Sequence, residues 1–345
     1  MAEQSLAVKY RPKTFDDVSE QDSIKKILRQ QLNTNTVKNA YLFVGGAGMG
    51  KTTCARIFAN EINKGQGEPT ELDAASNNSV DDVRVLIQQA KQQSLNSEYR
   101  IFIIDECHAL SNNAWQAFLK ALEEPPKKAI FIFATTNPEK IPRTILSRVQ
   151  RYDFKRISQQ GIVKRLQYIC DREVTGEDGL VRLEALEYLA KLAEGGMRDA
   201  ITLLDKCLAY SKEITVANIV SALGVVDYEV FFKLTDAIVD KNYACVIEVI
   251  EGVHSDGKDL KQFIKTYMSF LLDVIKYDIT GKFDYLSLPQ TYESSLHSKN
   301  VEYGNRDWFK CSQRLLDIVV KLNADVKWET QPKDLIEAVL IGAVQ

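Results

Sequence analysis

The octet Gly45-Gly46-Ala47-Gly48-Met49-Gly50-Lys51-Thr52 is the densest chemical signal in the sequence. It fits G-x-x-x-x-G-K-[ST], in which glycines let backbone N–H groups turn inward around phosphates. Lys51 then supplies a point charge to the β and γ oxygens, and Thr52 offers its hydroxyl to magnesium. Downstream, the apolar run Ile101-Phe102-Ile103-Ile104 delivers Asp105 and Glu106. An aspartate there would hold magnesium, usually through water, and a glutamate would polarise an attacking water, so the pair fits hydrolysis better than phosphate storage. A third run ends in Thr135-Thr136-Asn137, which puts a polar side chain beside the γ-phosphate position. Cys107 and His108 complete Asp-Glu-Cys-His, but no H-x-x-x-H pair and no second nearby cysteine accompany them, so they read as structural residues. By spacing alone, Arg148 and Arg198 read as surface ion-pair residues.

These groups need elements to position them. YLFVG (41–45), IFIID (101–105) and AIFIFATT (129–136) are near-continuous apolar runs of strand length, separated by segments of helical periodicity. Strands apolar on both faces belong in a parallel sheet covered by helices. The phosphate loop lies between such a strand and the helical segment TTCARIFANEI, which is the context its mechanism requires. After Ser158 the strand-like runs largely stop, and residues such as Ile162, Leu166 and Ile169 recur at helical spacing. The predicted fold class is an α/β P-loop core followed by a helical lid and an all-α domain. A break near LGVVD (223–227) sets the expected domains at 1–157, 158–223 and 224–345, with turn signals at HSDGKD inside the last.

Composition narrows the class further. The chain has 345 residues, 45% hydrophobic and 26% charged, which excludes collagen-like, mucin-like and largely disordered chains. No run of about 18 apolar residues is present and MAEQSLAVKYRPK has no apolar signal core, so a cytoplasmic protein with no membrane partner is expected, in the host cytoplasm if phage-encoded. The six cysteines are scattered without a CxxC pair, which argues against a disulfide framework and a zinc site. A net charge of -3 gives no bulk attraction to nucleic acid. The stretch from Lys140 to Arg165 is different: Lys140, Arg143, Arg148, Arg151, Lys155, Arg156, Lys164 and Arg165 face one acid, Asp153.

Taken together, these residues resemble the clamp-loader ATPases of the AAA+ class, in the bacterial DNA polymerase III gamma/tau family. The resemblance is carried by Lys9-Tyr10-Arg11-Pro12, Thr14-Phe15-Asp16-Asp17-Val18, the phosphate loop, Asp73-Ala74-Ala75-Ser76 and Asp105-Glu106-Cys107-His108. It continues through Leu119 to Pro126, Ala134-Thr135-Thr136, Ile145-Leu146-Ser147-Arg148 and Gly195-Gly196-Met197-Arg198-Asp199-Ala200, and is weaker beyond about residue 200 except at Trp328-Glu329-Thr330. It implies a RecA-like ATPase core, a helical lid and a helical collar that assembles five subunits, with ATP and Mg2+ as cofactors.

Site roles follow from the resemblance. Thr136 is similar to the sensor that reads the γ-phosphate, Arg198 to the lid's second sensor, and Arg148 to the arginine finger that reaches a neighbouring subunit's ATP. Tyr10, Arg11 and Val18 would border the adenine, and the nucleotide-binding set would run from Gly45 through Thr53. Arg84, Lys120, Lys140 and Thr144 look similar by position to residues that bind primer-template DNA. The implied partners are other loader subunits, a sliding clamp and primer-template DNA. In place of the family's usual four-cysteine zinc module stands Asn63-Lys64-Gly65-Gln66-Gly67-Glu68-Pro69-Thr70, so no zinc is expected. Ser147-Arg148-Val149 keeps the finger without the usual thiol, and Asn77 and Ser79 stand where basic residues are often found. The chain's end at Gln345 fits a compact form without the long C-terminal extension.

The expected activity is ATP hydrolysis by the motor subunit of a sliding-clamp loader. Two alternatives remain at this point: a DNA translocase or helicase-type motor, and a loader arm that does not hydrolyse ATP. The intact phosphate loop and acidic pair weigh against the arm, and the absence of two-RecA helicase motifs weighs against the translocase.

Overall fold

The computed structural model describes residues 4–92, 96–174, 179–224, 226–302 and 307–343. Val225, inside the expected break, and both terminal residues of the expected domains lie outside them. Two compact units are present, one made of Met1–Glu173 with Leu192–Asp205, the other of Val174–Lys191 with Lys206–Gln345.

The first unit is built on five strands: β1 Ala40–Val44, β2 Thr70–Asp73, β3 Arg100–Asp105, β4 Ala129–Thr135 and β5 Gln150–Asp153. They form one parallel sheet in the order β2-β3-β4-β1-β5. The chain leaves β1 for the far edge and returns to pair β5 on its other side, so β1 sits at the reversal point where open α/β sheets bind ligands.

Alternation along the strands explains why both faces are apolar. Tyr41, Phe43, Ile101, Ile103, Ile130 and Ile132 face one core, which Cys54, Ala55 and Phe58 of the helix Lys51–Ile62 complete together with Phe15 and Leu28. Leu42, Val44, Phe102, Ile104, Phe131 and Phe133 face the other, against Val83 and Leu86 of the helix Val80–Ala90 and Trp115 and Phe118 of the helix Asn112–Glu123. Phe118 meets Phe133 edge-on at 5.1 Å, and Tyr41 meets Phe58 in the same way at 5.1 Å.

The three apolar runs form strands as expected. The edges β2 and β5 were not anticipated, because TELD is almost wholly exposed and QRYD buries only Tyr152, so neither carries an apolar run.

Among the described residues the second unit is built of helices, with one bridge between Val181 and Ile214. Tyr228–Val239, Leu260–Thr280 and Asp307–Val326 supply its aromatic centre of Phe231, Phe232, Tyr267, Phe270 and Trp308. Phe232 and Phe270 are 4.9 Å apart, and the Trp308 indole donates to Asp236 at 2.9 Å. HSDGKD does interrupt the helices: one ends at Ser255, and Asp259 caps the next by accepting from the Lys261 and Gln262 N–H groups. Among the described residues no helix is long and apolar enough to cross a membrane.

Candidate functional site

A cavity of about 620 Å³ opens at the carboxyl ends of the strands, lined entirely by the first unit. Of the residues singled out from sequence, Tyr10, Arg11, Val18, Gly48, Met49, Gly50, Lys51, Thr52, Thr53, Asp105 and Arg198 line it. Gly45 and Gly46 lie behind this wall and contribute their carbonyls, while Ala47 is exposed at the loop tip.

Lys51 is only 6% exposed, and its Nζ donates to the carbonyls of Gly45 and Gly46 at 2.8 Å each. Burial pushes its ammonium below the usual lysine range, an effect that Glu106 and Asp105 oppose. Gly48 favours glycine. Its φ of 68° is left-handed, and a Cβ there would come within 3.1 Å of the Gly196 Cα. The same close approach lets the Met197 N–H donate to the Gly48 carbonyl at 3.0 Å, tying the loop to the helix Met197–Tyr210 that carries Arg198.

The Thr52 hydroxyl donates to Asp105 Oδ2 at 2.7 Å. A hydroxyl from the first turn of the helix Lys51–Ile62 and a carboxylate from β3's end therefore converge, a donor set of oxygens suited to magnesium. Glu106 follows with φ 44° and ψ 42°, a left-handed backbone that costs a non-glycine residue roughly 1–3 kcal/mol. Its carboxylate is held by Thr136, whose hydroxyl donates at 2.9 Å and whose N–H donates at 3.3 Å to the same Oε2. His108 adds a contact to this carboxylate: its Nδ1 lies 3.2 Å from Glu106 Oε2 and 3.1 Å from the Thr135 hydroxyl. Proximity of i and i+2 across a single turn of 3-10 helix gave no periodic signal. Cys107, by contrast, is fully buried.

Residues missed from sequence complete the cavity's electrostatics. Arg56 pairs with Glu71 at 2.5 Å, and both line the cavity with Asp73. Arg11 is pushed below the usual guanidinium range by burial first, then by the positive charges of Arg56 and Arg198. Four guanidiniums (Arg11, Arg56, Arg165 and Arg198) and a buried ammonium line one cavity with the carboxylates of Glu71, Asp73, Asp105 and Asp205, a set that can hold a polyanion and a cation bound to it. Arg56 and Glu71 could have been found only by recognising β2 as an edge strand facing the loop helix.

Arg148 lies elsewhere. Its guanidinium donates to Glu123 Oε1 at 2.9 Å, to the Thr144 carbonyl at 2.8 Å and to the Ser147 hydroxyl at 3.2 Å, all at the surface of its own chain. Arg84, Lys120, Lys140 and Thr144 are all exposed, and their elements, with Ile141 and Ile145, cover the same face of the sheet.

Comparison with known proteins agrees along most of the chain. Residues 70–158 match the family model described as DNA polymerase III, delta subunit, residues 161–213 the DNA polymerase III clamp loader subunit ATPase lid domain, and residues 214–345 DNA polymerase III subunits gamma and tau domain III. The chain is 34% identical to Bacillus subtilis DNA polymerase III subunit tau over its whole length and 64% of that protein. It is 30% identical to Mycoplasma genitalium subunit gamma/tau and 32% identical to Escherichia coli subunit tau, covering 48% and 45% of their lengths with 78% and 79% of its own. It thus spans about half to two thirds of these relatives. A Thermotoga maritima RuvB Holliday junction branch migration motor superimposes with a TM-score of 0.51 over 66% of this chain and 79% of that one at 22% identity, a likeness of fold alone.

Proposed function

Because the chain belongs to the DNA polymerase III gamma/tau family of clamp-loader subunits, we propose that it is the ATP-hydrolysing motor of a sliding-clamp loader. The observation that carries this reading is the convergence of Thr52 with Asp105 and of Thr136 with Glu106 beside the buried Lys51. A chain that only stored nucleotide would have no use for a strained glutamate held by a hydroxyl next to a magnesium-type oxygen pair.

In this reading Lys51 and the turned N–H groups of the phosphate loop bind the triphosphate, and Arg198 touches it from the helix tied to Gly48. Thr52 and Asp105 would hold Mg2+, which when bound neutralises charge on the β and γ oxygens. Glu106 accepts the proton of the attacking water, and Thr136 aims its carboxylate. Tyr10, Arg11 and Val18 border the base. Arg148 acts on a neighbour's nucleotide, a role worth roughly 10³ to 10⁵ in rate in well-studied phosphoryl transfer. Hydrolysis then requires assembly with other subunits, clamp and primer-template DNA, and the division into core 1–157, lid 158–223 and collar 224–345 is part of the same proposal. ATP favours the assembled state by binding it more tightly, and hydrolysis removes that bias.

The test separates binding from turnover. Lys51→Ala should abolish ATP binding, whereas Arg148→Ala should leave the affinity within about twofold and cut DNA-stimulated hydrolysis of the assembly at least 100-fold. Equal loss of nucleotide affinity in both variants would contradict the assignment of Arg148 to a neighbouring site.

A further inference from the structure

Among the described residues, segment 5–11, just before the phosphate-binding core, makes its side-chain hydrogen bonds and ion pairs to helices. Leu6–Lys9 forms one short turn of helix, and its Leu6 N–H donates to Asp205 Oδ2 at 3.0 Å, on the helix Met197–Tyr210. Lys9 pairs with Glu173 at 2.6 Å, at the end of the helix Gln159–Glu173. The Tyr10 hydroxyl donates to the same Glu173 carboxylate, and Arg165 of that helix donates to the Tyr10 carbonyl at 2.7 Å. The Tyr10 ring meets Tyr168 edge-on at 6.3 Å. Only from Phe15 and Val18 onward is the chain anchored in the sheet's core.

The clasped segment supplies a distinct part of the cavity wall. The charged lining comes from Lys51, four arginines including Arg11 of this segment, and the carboxylates of Glu71, Asp73, Asp105 and Asp205, whereas Ala7, Val8, Tyr10, Val18, Ile157 and Ile201 contribute apolar surface. A triphosphate uses the first and leaves the second for a flat heterocycle. Tyr10 cannot give its hydroxyl to that heterocycle, since Glu173 already takes it. The pairing is a closed one: hydrogen bonds from Lys9 first and Tyr10 second hold the Glu173 carboxyl below the usual carboxylate range.

We infer that Glu173 and Asp205 are positioning residues for base recognition, clasping segment 5–11 to two helices so that it forms the base-facing wall. The inference rests on the reading of the cavity as an ATP site. The helix Met197–Tyr210 thereby serves both ends of the cavity, holding segment 5–11 through Asp205 and the phosphate loop through Met197 and Gly48, so the clasp acts on the base through segment 5–11 alone.

The experiment compares two ligands on the full chain, ATP and inorganic tripolyphosphate with Mg2+, by calorimetric or competition binding. Glu173→Gln, Tyr10→Phe and Asp205→Asn should each weaken ATP roughly 3- to 10-fold and leave tripolyphosphate within about twofold. The double variant Glu173→Gln with Tyr10→Phe should lose less than the product of the single effects, because both act on the one Tyr10–Glu173 bond, which the first weakens and the second removes. Tyr10→Phe deletes a single oxygen and keeps the Lys9–Glu173 pair, so it stays informative where a charge change unfolds the chain. Unchanged ATP affinity in Tyr10→Phe, or equal weakening of both ligands, would overturn the clasp. Failure of the unaltered chain to bind either ligand would instead sink the ATP-site reading, and the clasp with it.

Discussion

Glu106 is the residue whose local geometry asks for an explanation. A glutamate in the left-handed region gains nothing by propensity, so the fold must hold it there, and the Asp105 carboxylate does so by accepting the Glu106 N–H at 2.9 Å. Its side chain then meets Thr136 and His108, two groups that fix which carboxylate oxygen faces them. Glu106→Gln should therefore keep the shape and the ATP affinity but lower turnover of the assembly by roughly 10² or more, measured by single-turnover hydrolysis; near-normal turnover would remove Glu106 as the base. The phosphate-loop residues were legible from spacing because backbone and side chain share one continuous octet. His108, Arg56, Glu71 and Asp205 were not, since each owes its place to a turn, an edge strand or a distant helix that no short motif encodes. The cysteines separate in the same physical way. Cys54, Cys107, Cys170 and Cys207 are buried, and burial pushes the Cys54 thiol up to about 12, so a thiol reagent should modify at most Cys245 and Cys311 in the native chain and all six after denaturation.

At the scale of elements, the central strands declared themselves and the edges did not, because burial on two faces writes a continuous apolar run and pairing on one side does not. β2 and β5 are the two edges of the sheet, each paired on one side only, so backbone pairing and not an apolar run defines them. The junction between the phosphate loop and the helix Met197–Tyr210 was half legible. The glycines at 195 and 196 mark a break before a helix, but the fit of Gly196 against Gly48 is a three-dimensional fact. Gly48→Ala would force a left-handed alanine and push a methyl within 3.1 Å of the Gly196 Cα. It should cost about 1–3 kcal/mol, visible as a melting temperature lowered by several degrees, together with weaker ATP binding. A variant with unchanged melting temperature and ATP affinity would show that this contact does not matter.

At the scale of the whole molecule, a net charge of -3 coexists with a basic surface that the sum conceals. The stretch from Lys140 to Arg165 looks uniformly cationic in sequence, but the structure neutralises part of it: Arg151 pairs with Asp153 at 2.6 Å and Arg148 with Glu123 at 2.9 Å. Arg84 is likewise paired, with Asp81 at 3.1 Å. Lys140 is exposed with no acidic partner among the described residues, as is Lys120 on the neighbouring helix. A cation already matched to a carboxylate gains little from a phosphate, because moving over to it strands the acid, whereas an unmatched lysine releases a DNA counterion at no such cost. Lys140→Ala and Lys120→Ala should each lower the slope of log affinity against log salt by about 1 for the assembled protein on primer-template DNA, and Arg151→Ala should leave it unchanged. Equal slopes for the unaltered protein and all three variants would mean that the DNA runs over a different face, since counterion release counts the phosphates a surface touches regardless of sequence.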